Sequence, residues 1–109
     1  MEINALAELY ATVIERKDQK EEGSYTCYLF EKGIDKILKK CGEECTEMVI
    51  AAKNNNNEEL KNEIADLLYH IVVMCAEMNL NWVEVDEVLT ERSKKTGNLK
   101  QFHKVDKNT

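Results

Sequence analysis

Apolar residues recur at helical spacing along nearly the whole chain, and only three short stretches break the rhythm. Ile3, Leu6, Leu9, Tyr10, Val13 and Ile14 make a first stripe. Gly23-Ser24 interrupts it. A long segment follows, with Ile34, Ile37, Leu38, Cys41, Cys45, Met48, Val49 and Ala52 on one face. The run from Asn54 to Asn57 is the second break. Asparagine favours turns and caps, and Asn56-x-x-Glu59 reads as a capping box that opens the next helix. That helix carries Leu60, Ile64, Leu67, Leu68, Ile71, Cys75 and Met78. Asn79 to Asn81 form the third break, and Asn81-x-x-Glu84 is a second capping box ahead of Val85, Val88 and Leu89. Strand signals are weak and proline is absent. The expectation is an all-α, four-helix bundle-like domain over residues 1–96, with two long antiparallel helices at its centre. Residues 97–109 turn polar after Gly97 and are expected to be a mobile tail.

At 109 residues the core of one such domain is thin, which favours a homo-oligomer, with a two-fold dimer as the commonest form. With 21 acids against 15 bases, the formal charge is −6. That balance argues against electrostatic binding to nucleic acid, which draws on a basic patch. No apolar run is long enough to span a membrane. The opening MEINALAELY carries acids and lacks the basic and apolar regions of a signal peptide, so a cytoplasmic location is expected. Cys27, Cys41, Cys45 and Cys75 form no Cys-x-x-Cys motif. They read as free thiols packed in a core rather than as a zinc or redox site.

Two acidic pairs carry the chemistry. Glu44-x-x-Glu47 lies in the second long segment and Glu63-x-x-Asp66 in the next helix. Three residues is nearly one turn, so each pair projects from one side of its helix. The midpoints of the two pairs are equidistant from residue 55, inside the asparagine turn. An antiparallel hairpin would therefore set them level. At ~100° per residue, Glu44 and Glu47 lie roughly 80° and 140° from the apolar centre of their helix, and Glu63 and Asp66 roughly 90° and 150° to the same side of theirs. Converging carboxylates repel unless protonated or neutralised. A divalent cation is the natural neutraliser, and an all-oxygen donor set favours Mg²⁺ or Mn²⁺. Because Mg²⁺ binds substrate phosphates, phosphorylated compounds become the substrate class. The competing reading is ordinary acids on a solvated helix face.

Bases surround the pairs: Lys32, Lys36, Lys39 and Lys40 precede the first of them. Lys36 and Lys40 share the side of Glu44 and Glu47 and are placed to grip phosphate oxygens. Simple i to i+4 pairs such as Lys40–Glu44 are the other reading. His70 follows Asp66 by one turn, suited either to orienting a carboxylate or touching phosphate, or to a structural role. The spacing is not the Glu-x-x-His of di-iron bundles, which disfavours oxygen chemistry.

The sequence resembles the phosphoribosyl-ATP pyrophosphohydrolase family, within the all-α, MazG-type nucleotide pyrophosphohydrolases. The broad motif, Glu-x-x-Glu followed after a gap by Glu-x-x-Asp, falls on Glu44, Glu47, Glu63 and Asp66. The narrower likeness includes Gly-Ser-Tyr-Thr at 23–26, Leu-Phe-x-Lys-Gly at 29–33, Asp-Lys-Ile-x-Lys-Lys at 35–40 and Gly-Glu-Glu at 42–44. Val-Ile-Ala-Ala-Lys at 49–53 and Ala-Asp-Leu-Leu-Tyr-His at 65–70 complete it.

The resemblance implies hydrolysis of phosphoribosyl-ATP to phosphoribosyl-AMP and pyrophosphate, the second step of histidine biosynthesis. It implies that the four carboxylates hold Mg²⁺, with Glu47 or Glu44 taking the proton of the attacking water. Lys36 and Lys40 would neutralise the polyphosphate. Ser24, Tyr25 and Thr26 would reach the phosphoribosyl end, the alternative being a helix N-terminal cap. His70 and Arg92 are further phosphate-contact candidates, with a surface arginine as the bland reading of the latter. Some family members are fused to a phosphoribosyl-AMP cyclohydrolase; this sequence looks like the stand-alone form, so a separate chain would act on the product. Two rivals remain: a housekeeping MazG-type enzyme for other nucleoside triphosphates, and a non-catalytic helical interaction module.

Overall fold

The computed structural model describes residues 4–95 and holds five α-helices: α1 (Ala5–Asp18), α2 (Tyr25–Lys32), α3 (Ile34–Lys53), α4 (Asn57–Glu77) and α5 (Trp82–Ser93). The all-α expectation holds, and the two long helices α3 and α4 form the most extensive helix pair. The expected tail lies outside the described residues, as does Ile3. The helix count differs from the expected four. The segment after Gly23-Ser24 is two helices, because Gly33 sits at φ 93°, where residues bearing a Cβ are strained. Its N–H still closes α2 on the Leu29 carbonyl, and its own carbonyl opens α3 by accepting from Ile37. One residue thus turns the chain through a corner.

The asparagine breaks work as the composition suggests, through named bonds. Asn55 adopts φ 56°, and the N–H groups of Asn55 and Asn56 bond to the carbonyls of Ala52 and Ala51. This is a Schellman closure with asparagine in the glycine position. Asn56 then caps α4, its side chain accepting from the Glu59 N–H at 3.1 Å. Asn56's own N–H is already committed to Ala51, so Glu59 has no donor to reach back for, and only one half of the capping box forms. The same closure ends α4, where Asn79 lies at φ 60° and Leu80 donates to Cys75. Asn81 caps α5 through the Val83 N–H at 2.9 Å rather than through that of Glu84, which bonds to the Asn81 carbonyl instead.

The core is Val13 of α1, Leu29 of α2, Ile37 of α3, Val72, Val73, Cys75 and Ala76 of α4, and Trp82 of α5. Leu6, Leu9, Tyr10 and Ile14 pack against it, as the first stripe requires. Lys17 fastens α1 to the end of α4: its ammonium donates to the Ala76 carbonyl at 2.9 Å and to Asn79 Oδ1 at 3.3 Å. A cation there also complements the negative end of the helix dipole.

The apolar face expected on α3 is only half covered. Ile37 and Ala51 are buried, whereas Leu38, Cys45, Val49 and Ala52 are exposed, Val49 by 57%. Cys45 is therefore not a core thiol here, although Cys75 is. Periodicity marks a face as apolar; it does not say that the same chain covers it. No helix among the described residues is long and apolar enough to cross a membrane.

Candidate active site

Because α3 and α4 are joined by a tight turn, the two acidic pairs come level. Glu44, Glu63 and Asp66 each place a carboxylate oxygen within 4.8 Å of the others. Glu44 is buried, Glu63 half-buried and Asp66 exposed, so the group opens from the helix interface toward solvent. Glu47, one turn on along α3, is exposed and outside this tight group. It is still near enough to matter electrostatically. Burial pushes the Glu63 carboxyl up to about 7, and the charges of Glu47 and Glu44 add to the effect.

Two oxygens of the cluster stand apart. Glu44 Oε1 and Glu63 Oε1 are buried and have no hydrogen-bond donor. Buried polar atoms are ordinarily paired. Glu44 has help on one side only, where Lys40 Nζ lies 3.7 Å from its other oxygen, Oε2. Hard oxygen donors, converging and partnerless, fit a small divalent cation such as Mg²⁺ or Mn²⁺. The donor set therefore suits the expected metal.

The remaining candidates separate into groups. Tyr25 and His70 meet beside the carboxylates. His70 is buried, and its Nδ1 lies 2.8 Å from the Asp66 carbonyl, which can only accept. Nδ1 therefore carries the proton, and in the neutral ring Nε2 accepts from the Tyr25 hydroxyl at 3.0 Å. Thr26 is hydrogen-bonded to Tyr69 across the α2–α4 contact. Ser24 is the α2 cap, accepting from the Cys27 N–H at 3.1 Å, as the cap alternative held. Lys40 pairs with Glu43 at 3.2 Å as well as Glu44, and its hydrogen bond to Glu43 raises its pKa. Lys36 lies over the Tyr28 ring. Arg92 is exposed in the last turn of α5, a helix that packs on α1 and α4, and it has no hydrogen bond or ion pair with the cluster.

Tyr28 went unnoticed in the sequence, and Lys32 and Tyr69 were named there without a role at the site. Tyr25 stacks between Tyr69 and Tyr28, with ring centroids 6.1 and 6.0 Å away. Tyr25, Tyr28 and Lys32 stand three and four residues apart, a helical spacing that puts them on one side of α2 and was there to be read. Tyr25 and Tyr28 also line an open cleft of about 720 Å³, bordered by Glu21, Glu22 and Glu31, with Lys20 as its one cation.

A helical hairpin that gathers carboxylates at its middle, beside lysines and tyrosines, agrees with the all-α, MazG-type nucleotide pyrophosphohydrolases that the sequence resembles. Comparison with known proteins narrows this. Residues 6–93 match the family model described as phosphoribosyl-ATP pyrophosphohydrolase, and the chain belongs to that family. It is 52% identical over 101 residues to a phosphoribosyl-ATP pyrophosphatase of Listeria welshimeri, covering 93% of this chain and 97% of the relative. It is 49% identical over 98 residues to one of Clostridium novyi, covering 90% and 89%. It is also 60% identical over 87 residues to the histidine biosynthesis bifunctional protein HisIE of Halalkalibacterium halodurans, covering 80% of this chain and 41% of that protein.

Proposed function

We propose that this chain hydrolyses phosphoribosyl-ATP to phosphoribosyl-AMP and pyrophosphate, the second step of histidine biosynthesis, with Mg²⁺ or Mn²⁺ held by Glu44, Glu63 and Asp66 and completed by Glu47. The observation that carries the metal is the pair of buried, donorless oxygens on Glu44 and Glu63. A solvated charged face, as in a mere interaction module, would have left them in water. When bound, such a cation supplies charge stabilisation at the phosphates and a water acidic enough to attack near neutral pH.

The chain's own groups have separate tasks. Glu47, exposed at the rim, is suited to take the proton from the attacking water. Glu44 is suited to it only in part, because Lys40 holds one of its oxygens. Lys40 also sets positive charge where the polyphosphate would lie. His70, fixed through both ring nitrogens, holds Tyr25 upright at the edge of the site.

The exposed stripe of Leu38, Val49 and Ala52 supports a homodimer, because an apolar helix face of this kind is stabilised by a second copy. Four free thiols suit the reducing cytoplasm. The Listeria and Clostridium relatives carry the pyrophosphatase name alone and the Halalkalibacterium relative is bifunctional, so a phosphoribosyl-AMP cyclohydrolase is the activity that would take the product. The test is pyrophosphate release from phosphoribosyl-ATP with and without Mg²⁺, beside a panel containing dUTP and dCTP. Turnover of phosphoribosyl-ATP alone supports the reading. Turnover of dUTP or dCTP alone would transfer the chain to the housekeeping enzymes, and no Mg²⁺-dependent release would favour the interaction module.

A further inference from the structure

Two lysines converge on one tyrosine. Lys32 Nζ of α2 lies 5.8 Å, and Lys36 Nζ of α3 6.0 Å, from the centre of the Tyr28 ring. Neither forms an ion pair among the described residues, whereas the next two lysines of α3, Lys39 and Lys40, both pair with Glu43. The Gly33 corner is what brings Lys32 and Lys36 together from separate helices. Gathering two like charges costs energy that cation–π contact only partly offsets. An anion would remove that cost.

The placement says which anion. Lys36, Lys40 and Glu44 follow one another at one-turn intervals along α3. At 1.5 Å per residue, Lys36 stands about 12 Å along the helix from Glu44. Tyr25, bonded to His70 beside the carboxylates, stacks on Tyr28, which lies under the two lysines, so the ring pair links the two ends. A ligand that reaches both ends needs a polyphosphate at one, a second phosphate at the other, and a nucleoside between. Phosphoribosyl-ATP is such a molecule, and ATP is not. The cleft that Tyr25 and Tyr28 line is bordered by Glu21, Glu22 and Glu31, which would repel a phosphate, and neither Lys32 nor Lys36 lines it.

We propose that Lys32 and Lys36, gathered on Tyr28, form a second anion subsite that takes the ribose 5′-phosphate of the substrate and separates it from ordinary nucleoside triphosphates. The proposal rests on the phosphoribosyl-ATP reading above. Both ammoniums sit on flexible stems, so they can close on one phosphate while Tyr28 marks where its ribose lies.

The experiment compares phosphoribosyl-ATP with the same compound lacking its ribose 5′-phosphate, on wild type and on K32Q/K36Q. Wild type should prefer the phosphorylated substrate on the order of tenfold or more in kcat/KM, as the loss of hydrogen bonds to charged groups implies. In the double variant the two substrates should converge to within about threefold, since removing either partner removes the same interaction. The loss on phosphoribosyl-ATP should fall on KM rather than kcat. The single variant K32Q, at an exposed position, carries the same comparison if the double variant loses helix. A double variant that keeps the wild-type preference overturns the subsite, as does a wild type that never had one. A wild type that turns over neither compound overturns the functional reading instead.

Discussion

The Tyr25 hydroxyl bonds to His70 Nε2 at 3.0 Å across 45 residues of sequence, joining the start of α2 to the middle of α4 one turn beyond Asp66. His70 is buried, so this nitrogen has no ready substitute donor. Tyr25→Phe keeps the ring stack and removes only the hydroxyl. Urea unfolding should show a loss of about 1 kcal/mol or more, the usual cost of orphaning a buried acceptor.

The carboxyl of Glu63 makes the metal-free fold pH-sensitive. Its pKa stands near 4.5 when unconstrained and at about 7 in the fold. Folding thus favours the protonated form. This contribution is fully present below pH 4.5 and is lost as pH rises through 7. Thermal unfolding in EDTA should therefore show a Tm that falls across that window. Glu63→Gln should flatten the fall. Added Mg²⁺ should raise the Tm above pH 7 and leave it nearly unchanged at low pH, where the ligand is protonated.

Glu44→Gln replaces a buried ligand with a neutral group of the same shape. Pyrophosphate release should drop on the order of 10²-fold or more. Circular dichroism should remain helical, since the mutation removes repulsion. Calorimetry should show weakened Mg²⁺ binding. Glu47→Gln, at the exposed rim, should likewise stay folded and lose metal binding and activity.

Lys17→Met severs α1 from the end of α4 without touching the carboxylates. Two bonds from a charged donor are lost, so unfolding should reveal destabilisation of about 1.5 kcal/mol, with kcat preserved.

Val49→Glu places a charge on the exposed stripe of α3. Light scattering should find a dimer for wild type and a monomer for the variant. A wild type that is monomeric throughout the micromolar range would remove the case for a dimer.

Much of the fold and of the carboxylate geometry could be read from the residues. Asn54–Asn57 marked a turn, and the equal spacing of the acidic pairs about it brought Glu44, Glu63 and Asp66 level. Other features were not legible, for definite reasons. Gly33 was not read as a break, because an isolated glycine amid helical spacing is compatible with one helix; its positive φ reveals the corner. Leu38 and Val49 had the right period for a core, yet period does not say which molecule covers them. The Tyr25–His70 and Thr26–Tyr69 bonds join residues more than 40 positions apart, beyond the reach of local pattern.

The three-asparagine turn also has a kinetic consequence. Between Glu44 and Asp66 only Asn54–Asn56 lie outside α3 and α4, so the loop to be closed is short and its entropy small. Helical proteins rich in such local contacts fold fast. A hairpin that closes ahead of the longer-range Tyr25–His70 contact would force its carboxylates together early. Cation available at that early stage would relieve the repulsion within the hairpin, and refolding in Mg²⁺ should be faster than in EDTA.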